Sequence, residues 1–97
     1  MYHEFCKGLW DRKSYWQEGS LLIHDDVLHD TGLARIFRNC VPEFDLYAVT
    51  EIYPRHWEEI CRSAEKQGGE ALEAVKEAQP WAEQVFEEYG VFTYIGI

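Results

Sequence analysis

The densest group of residues able to do chemistry is the run "HDDVLHD": His24, Asp25, Asp26, His29 and Asp30. Imidazoles and carboxylates bind metals and carry protons, so their spacing is the first thing to test. His24 and His29 are five apart, which puts them about 140° apart on a helix and on opposite faces of a strand. Asp25/His29 and Asp26/Asp30 are i,i+4 pairs, but each offers two ligands where a metal centre needs three or four. The run therefore reads as a solvated turn whose acids cap a helix. No metal and no cofactor is expected.

The doublet His29-Asp30 resembles the paired His-Asp of metal-dependent phosphohydrolases. Such enzymes need further His and Asp ligands on separate helices, and His3 and His56 are the only histidines left. Thiol chemistry has less to stand on. Cys6, Cys40 and Cys61 are widely spaced with no CxxC, and Cys61 lies on the apolar stripe of its helix. Cys6 has His3 three residues before it, but nothing marks a third partner. No glycine-rich phosphate loop and no GxSxG motif occurs. A hydrolase built on the HDDVLHD run ranks last among the functional readings, and a protein that is not an enzyme is expected.

The acids fit binding better. The chain carries 9 Lys and Arg against 18 Asp and Glu, a net charge of −9. Residues 65–88 hold seven of those acids and two of the bases. Such a surface disfavours nucleic acid and anionic membrane and suits a basic protein partner. Glu70, Glu73 and Glu77 share a helical face, and Glu83 and Glu87 are an i,i+4 pair. Aromatics beyond the needs of a core lie near acids: Trp10, Tyr15, Trp16, Phe44 and Tyr47. Two surfaces compete, the Glu70–Glu77 stripe and the Asp25–Asp30 turn with Asp45. The turn is favoured because loops carry recognition more often than a regular helix face. The candidate partner-binding residues are Trp16, Asp25, Asp26, Asp30, Asp45, Tyr47 and Glu51.

The elements that must hold these residues follow from periodicity. Helix begins at Pro54, with Trp57, Ile60, Cys61 and Ala64 on one face. Gly68-Gly69 interrupts it. A second helical run covers Glu70–Tyr89, with Leu72, Val75, Ala78, Ala82, Val85, Phe86 and Tyr89 facing inward. Pro80 predicts a kink there, or two short helices. After Gly90 the period changes from 3.6 to 2, and the uncharged run Val91–Ile97 is apolar on both faces. An exposed run of that kind would aggregate, so it is expected to be a central strand. Its neighbour is expected within Asp45–Tyr53. Ser20–His24 reads as a shorter strand, with "SYWQE" before Gly19 as a partner for it. Leu33, Ile36, Phe37 and Cys40 mark a short helix behind Asp30 and Thr31 as caps. The first dozen residues give no clear pattern. The expectation is one α+β domain over 1–97, its C-terminal strand central in an antiparallel or mixed sheet packed against two or three helices.

Two segments, "PEFDLYAVTEI" (Pro42–Ile52) before the Trp57 helix and "VFTYIGI" after the acidic helix with Trp81, resemble small immunity proteins of bacterial polymorphic-toxin and contact-dependent inhibition systems. The resemblance implies a cytoplasmic, non-enzymatic inhibitor that masks a toxin domain, often a basic nuclease, made in the same cell. Of the matching residues, Asp45, Tyr47 and Glu51 could carry binding. An acidic adaptor docking on a larger complex is the alternative. Met1 leads into no apolar run behind a cationic start, and no stretch approaches the roughly 20 apolar residues of a membrane helix. With an odd number of separated cysteines, a cytoplasmic location is expected.

Overall fold

The uncharged C-terminal segment organises the molecule. The computed structural model describes residues 1–96, and in it Phe92–Ile95 form a strand with all four side chains buried. In chain order the elements are β1 (Tyr2–Lys7), β2 (Leu21–His24), α1 (Asp25–Asp30), α2 (Leu33–Cys40), β3 (Val49–Ile52), α3 (Pro54–Gln67), α4 (Gly69–Tyr89) and β4 (Phe92–Ile95). The sheet is antiparallel throughout, in the order β2-β1-β4-β3. The first and last strands are thus the two central ones, and the fold is α+β. Ile97, counted with the tail in the sequence, lies outside the described residues.

Strand alternation sorts the side chains into two layers. Phe5, Ile52, Phe92 and Tyr94 point to one face, where the helices pack. Phe92 sits among the rings of Phe5, Trp57, Trp81 and Phe86, with centroids 5.1 to 6.0 Å away. Tyr94 meets Phe5 at 5.1 Å and Phe44 at 4.9 Å. The helices reach this layer as amphipathic stripes. Leu33, Ile36, Phe37 and Cys40 are buried from α2, and Trp57, Ile60 and Ala64 from α3. Glu4, Cys6, Thr93 and Ile95 point the other way and are buried as well, each at most 2% exposed. The loop Gly8–Ser20 lies against that face: Gly8 O accepts from Thr93 Oγ1, and Glu4 bonds three residues of the loop.

Several local expectations are corrected. Of the two outcomes expected at Pro80, a kink or two short helices, the second is excluded: α4 is one helix through Pro80. Ala78 and Ala82 on either side of it are buried, so packing on both halves outweighs the lost backbone bond, a loss of about 3 kcal/mol in an isolated helix. Ala71 takes an inward position, while Leu72 and Phe86 are half-buried and Tyr89 is exposed with its ring against Gly8. The strand expected within Asp45–Tyr53 shortens to Val49–Ile52. Asp45 ends it: its carboxylate accepts from Tyr47 N–H and its carbonyl from Ala48 N–H, making a turn. "SYWQE" is no strand, because Trp16 has φ 54 and β1 takes the place beside β2. Gly32, at φ 84, precedes α2 in place of a side-chain cap, although Thr31 Oγ1 still accepts from Leu33 N–H at 3.2 Å. Gly96 is required by close approach: a Cβ there would lie 2.3 Å from the backbone N and O of Ala48. No helix among the described residues is long and apolar enough to cross a membrane.

Candidate functional site

The HDDVLHD run is a one-and-a-half-turn helix, α1, with His24 as its N-cap. His24 Nδ1 accepts from Asp26 N–H at 3.1 Å, a capping role that ties the first of the two histidines to the backbone. His24 and His29 do not converge. The partner that reaches Asp25 comes from β1 instead: His3 Nε2 donates to Asp25 Oδ1 at 2.7 Å, and His29 Nε2 lies 3.3 Å from the same oxygen. The bond from His3 holds the Asp25 carboxyl below its ordinary range. Among the described residues no group of three or more His, Cys, Asp or Glu is arranged to hold a metal ion.

His3 extends this contact into the core. Its Nδ1 is 2.9 Å from Tyr94 Oη, and that hydroxyl donates to Leu46 O at 2.8 Å. A tyrosine has one hydrogen to give, so toward His3 it must accept. Burial, reinforced by the charges of Asp25 and Asp45, pushes the Tyr94 phenol up to about 12. The arrangement is a buried polar strut that fixes α1 and the Asp45–Ala48 turn to the central strand. Met1, His3, Asp25, His29, Leu46 and Tyr47 line a shallow depression of about 230 Å³ beside it.

The structure therefore divides the sequence-predicted set. Asp25 and Tyr47 meet around that depression, with Asp26, Asp30 and Asp45 exposed on the adjoining α1 and turn. Tyr47 is 81% exposed. Glu51 points outward from β3, where it accepts from Tyr53 Oη at 2.8 Å and borders a second depression with Arg12. Trp16 belongs to the loop on the Glu4 side of the sheet. Phe44, counted among the surplus aromatics, is core: it stacks on Phe37 at 5.2 Å and meets Tyr94.

Sequence reasoning missed Glu4. Its carboxylate is 2% exposed and accepts from Trp16 N–H, from Gln17 N–H at 2.8 Å and from Ser20 Oγ at 2.6 Å. In the sequence it looks like a solvent-facing residue between His3 and Phe5, and its donors are more than ten residues away. Among the described residues the two non-glycine residues with positive φ, Arg12 at 65° and Trp16 at 54°, both lie in the loop it anchors. Each such conformation costs about 1–3 kcal/mol and persists only where the surroundings enforce it. Here Glu4 enforces it at Trp16. The loop exposes Leu9, Tyr15 and Trp16, each by more than half, and packs Trp10 edge-on against Tyr15 at 5.2 Å.

The carboxylates around these groups are mostly uncompensated. Among the described residues, three of the 18 Asp and Glu lie within ion-pair distance of a cation or histidine: Asp25, Asp26 and Glu58. The thiols are poorly disposed to react. Burial pushes Cys6 up to about 11, with Glu4 adding to it, and Cys61 likewise up to about 11, with Glu65 and Glu83 adding. Comparisons with protein-family models, with curated proteins and with solved structures found no match.

Proposed function

We propose that this chain is a non-enzymatic binding protein that neutralises a basic protein partner stoichiometrically, in the manner of an immunity protein directed at a toxin domain. The observation that carries the reading is Trp16: an indole more than half exposed, on a left-handed residue held in place by a buried carboxylate. A large aromatic presented to solvent at a conformational cost fits an anchor for a partner's pocket. Tyr47 on the Asp45 turn is a second anchor, with Asp25, Asp26 and Asp30 beside it as charge partners. Glu51 extends the acidic surface on the other side. The unpaired acids support a cationic partner, since they set the encounter rate and the sign of what binds. The raised thiols, and a His3 whose two ring nitrogens are both engaged, fit a structural role better than a catalytic one.

The test is capture of the partner from the native cell, followed by titration with purified protein. The expected partner is basic, binds one to one, and loses affinity about tenfold or more with Trp16→Ala, as a central aromatic anchor should. A neutral or acidic partner, or an unchanged affinity for that variant, contradicts the reading.

A further inference from the structure

The two edges of the sheet are protected to different degrees. β3 carries the outward Glu51 and is followed at once by Tyr53 and Pro54, features that discourage another strand from pairing with it. β2, "LLIH", has no charge, no proline and only its shortness as defence. Its hydrogen-bond phase follows from the register. His3 faces Ile23, Tyr2 faces His24, and Asp25 N–H donates to Met1 O, so bonded pairs fall at Met1/Asp25, His3/Ile23 and Phe5/Leu21. Leu22 is then in a non-bonded pair, with its N–H and C=O turned away from β1 and out of the sheet. Its side chain is 46% exposed, and Tyr2 beside it is 51% exposed.

Along this edge runs an open groove of about 340 Å³ between β2, α1 and α4. Leu21, Ile23, Val27, Ala74 and Ala78 make its apolar lining, and Glu77 stands in its wall. Glu70 and Glu73 continue the same helical stripe, exposed and without an ion-pair partner. Lys76, the neighbouring cation, turns to the α3 side beside Cys61 and Glu65. The groove is thus apolar at its base, with Glu77 on its α4 wall and His24, 3.3 Å from the Met1 ammonium, at the β2 end, and it is bordered by a strand with an unmet donor and acceptor.

We propose that β2 receives an added strand, and that its occupant is an extended segment of the basic partner in which a short apolar run is flanked by lysine or arginine. The apolar run fits against Val27, Ala74 and Ala78, the backbone pairs with Leu22, and a flanking cation reaches Glu77. A second copy of this chain fits less well, because it would bring a net charge of −9 against another of −9. The inference rests on the reading that the partner is basic, but its test does not require the partner in hand.

The probe is a synthetic peptide of about eight residues, a valine–isoleucine run with arginine at both ends, against a control with glutamate ends. In the wild-type protein, saturation with the arginine peptide should slow hydrogen exchange of the Leu22 amide about tenfold or more. Glu77→Lys should weaken binding about tenfold, a loss of about 1.4 kcal/mol. Leu22→Pro should abolish binding while leaving circular dichroism intact, since an edge proline removes no ladder bond at that phase. Should that variant fail to fold, the Leu22 amide in the wild type decides. An unprotected Leu22 amide at saturation, equal binding of the glutamate peptide, or self-association through β2 would each overturn the proposal. If the Leu22 amide stays open while a captured basic partner still binds with salt dependence, the added strand is wrong and the proposed function stands.

Discussion

The two faces of the sheet are covered by different means. Toward the helices, Phe5, Ile52, Phe92 and Tyr94 meet α2, α3 and α4 in a continuous apolar layer, and stability there is spread over many contacts. On the other face, Glu4, Cys6, Thr93 and Ile95 lie on the side of a thirteen-residue loop without helix or strand, held at its middle by the Glu4 carboxylate and at its ends by Thr93 Oγ1 on Gly8 O and by Trp81 Nε1 of α4 on Gly19 O. The difference separates two tasks. The helix face carries most of the buried apolar contact; on the proposed reading, the loop face sets the shape offered to a partner. A substitution on the first should change stability, and one on the second should change loop order and binding.

The largest expected effect lies on the helix face. Phe92→Ala removes the ring at the meeting point of Phe5, Trp57, Trp81 and Phe86, and should cost about 3–5 kcal/mol in denaturant unfolding. Deleting residues 91–97 should abolish cooperative unfolding altogether. A truncated chain that melts like the full one would remove the tail from the centre of the account.

A smaller effect is expected from Glu4→Gln. The amide can keep one acceptor, so the fold should survive with a loss of about 1–3 kcal/mol. Amide exchange at Trp16 and Gln17 should accelerate far more than exchange at Phe5 or Tyr94. Equal acceleration on both faces would mean that the loop and core form one cooperative unit and that the contrast drawn above fails.

The smallest effects come from pH. Cys6 stays protonated in the fold up to about 11 but ionises near 9 once unfolded. Its contribution is fully present below 9 and is lost as the pH rises from 9 toward 11. Asp25 has the opposite sign. Held below its ordinary value of 3.8 chiefly by the hydrogen bond from His3, it stabilises the fold above that value and ceases to as the pH falls beneath it. Melting temperature followed across both windows should decline at each end, and Asp25→Asn should flatten the acid limb.

How much of this was legible in the sequence depended on whether a residue's partners were near in the chain. The tail declared itself through apolarity on both faces, and α2 and α3 through stripes at helical spacing. β1 did not, because His3 and Glu4 are polar residues buried on opposite faces of one strand. Their reasons for being inside, Tyr94 for His3 and the Trp16–Ser20 loop for Glu4, lie far along the chain. The same limit explains Phe44, which looks superfluous until Phe37 and Tyr94 are brought beside it. Of the candidate site, Trp16 and Tyr47 read in the sequence as aromatics beyond the needs of a core, and both are exposed. That they lie on different parts of the surface depends on the path of β1, which local pattern did not reveal.

On the proposed reading, the excess of acids over bases on this surface steers a basic partner onto aromatic anchors. The most direct test is the association rate constant with the captured partner, measured over a salt series for wild type, Asp25→Lys/Asp26→Lys and Glu70→Lys/Glu73→Lys. The rate should fall steeply between low and physiological salt, where the screening length shrinks to about 8 Å, with a further drop for the charge reversals. Trp16→Ala should leave that rate nearly unchanged and speed dissociation. An association rate flat in salt and indifferent to both reversals would contradict the account.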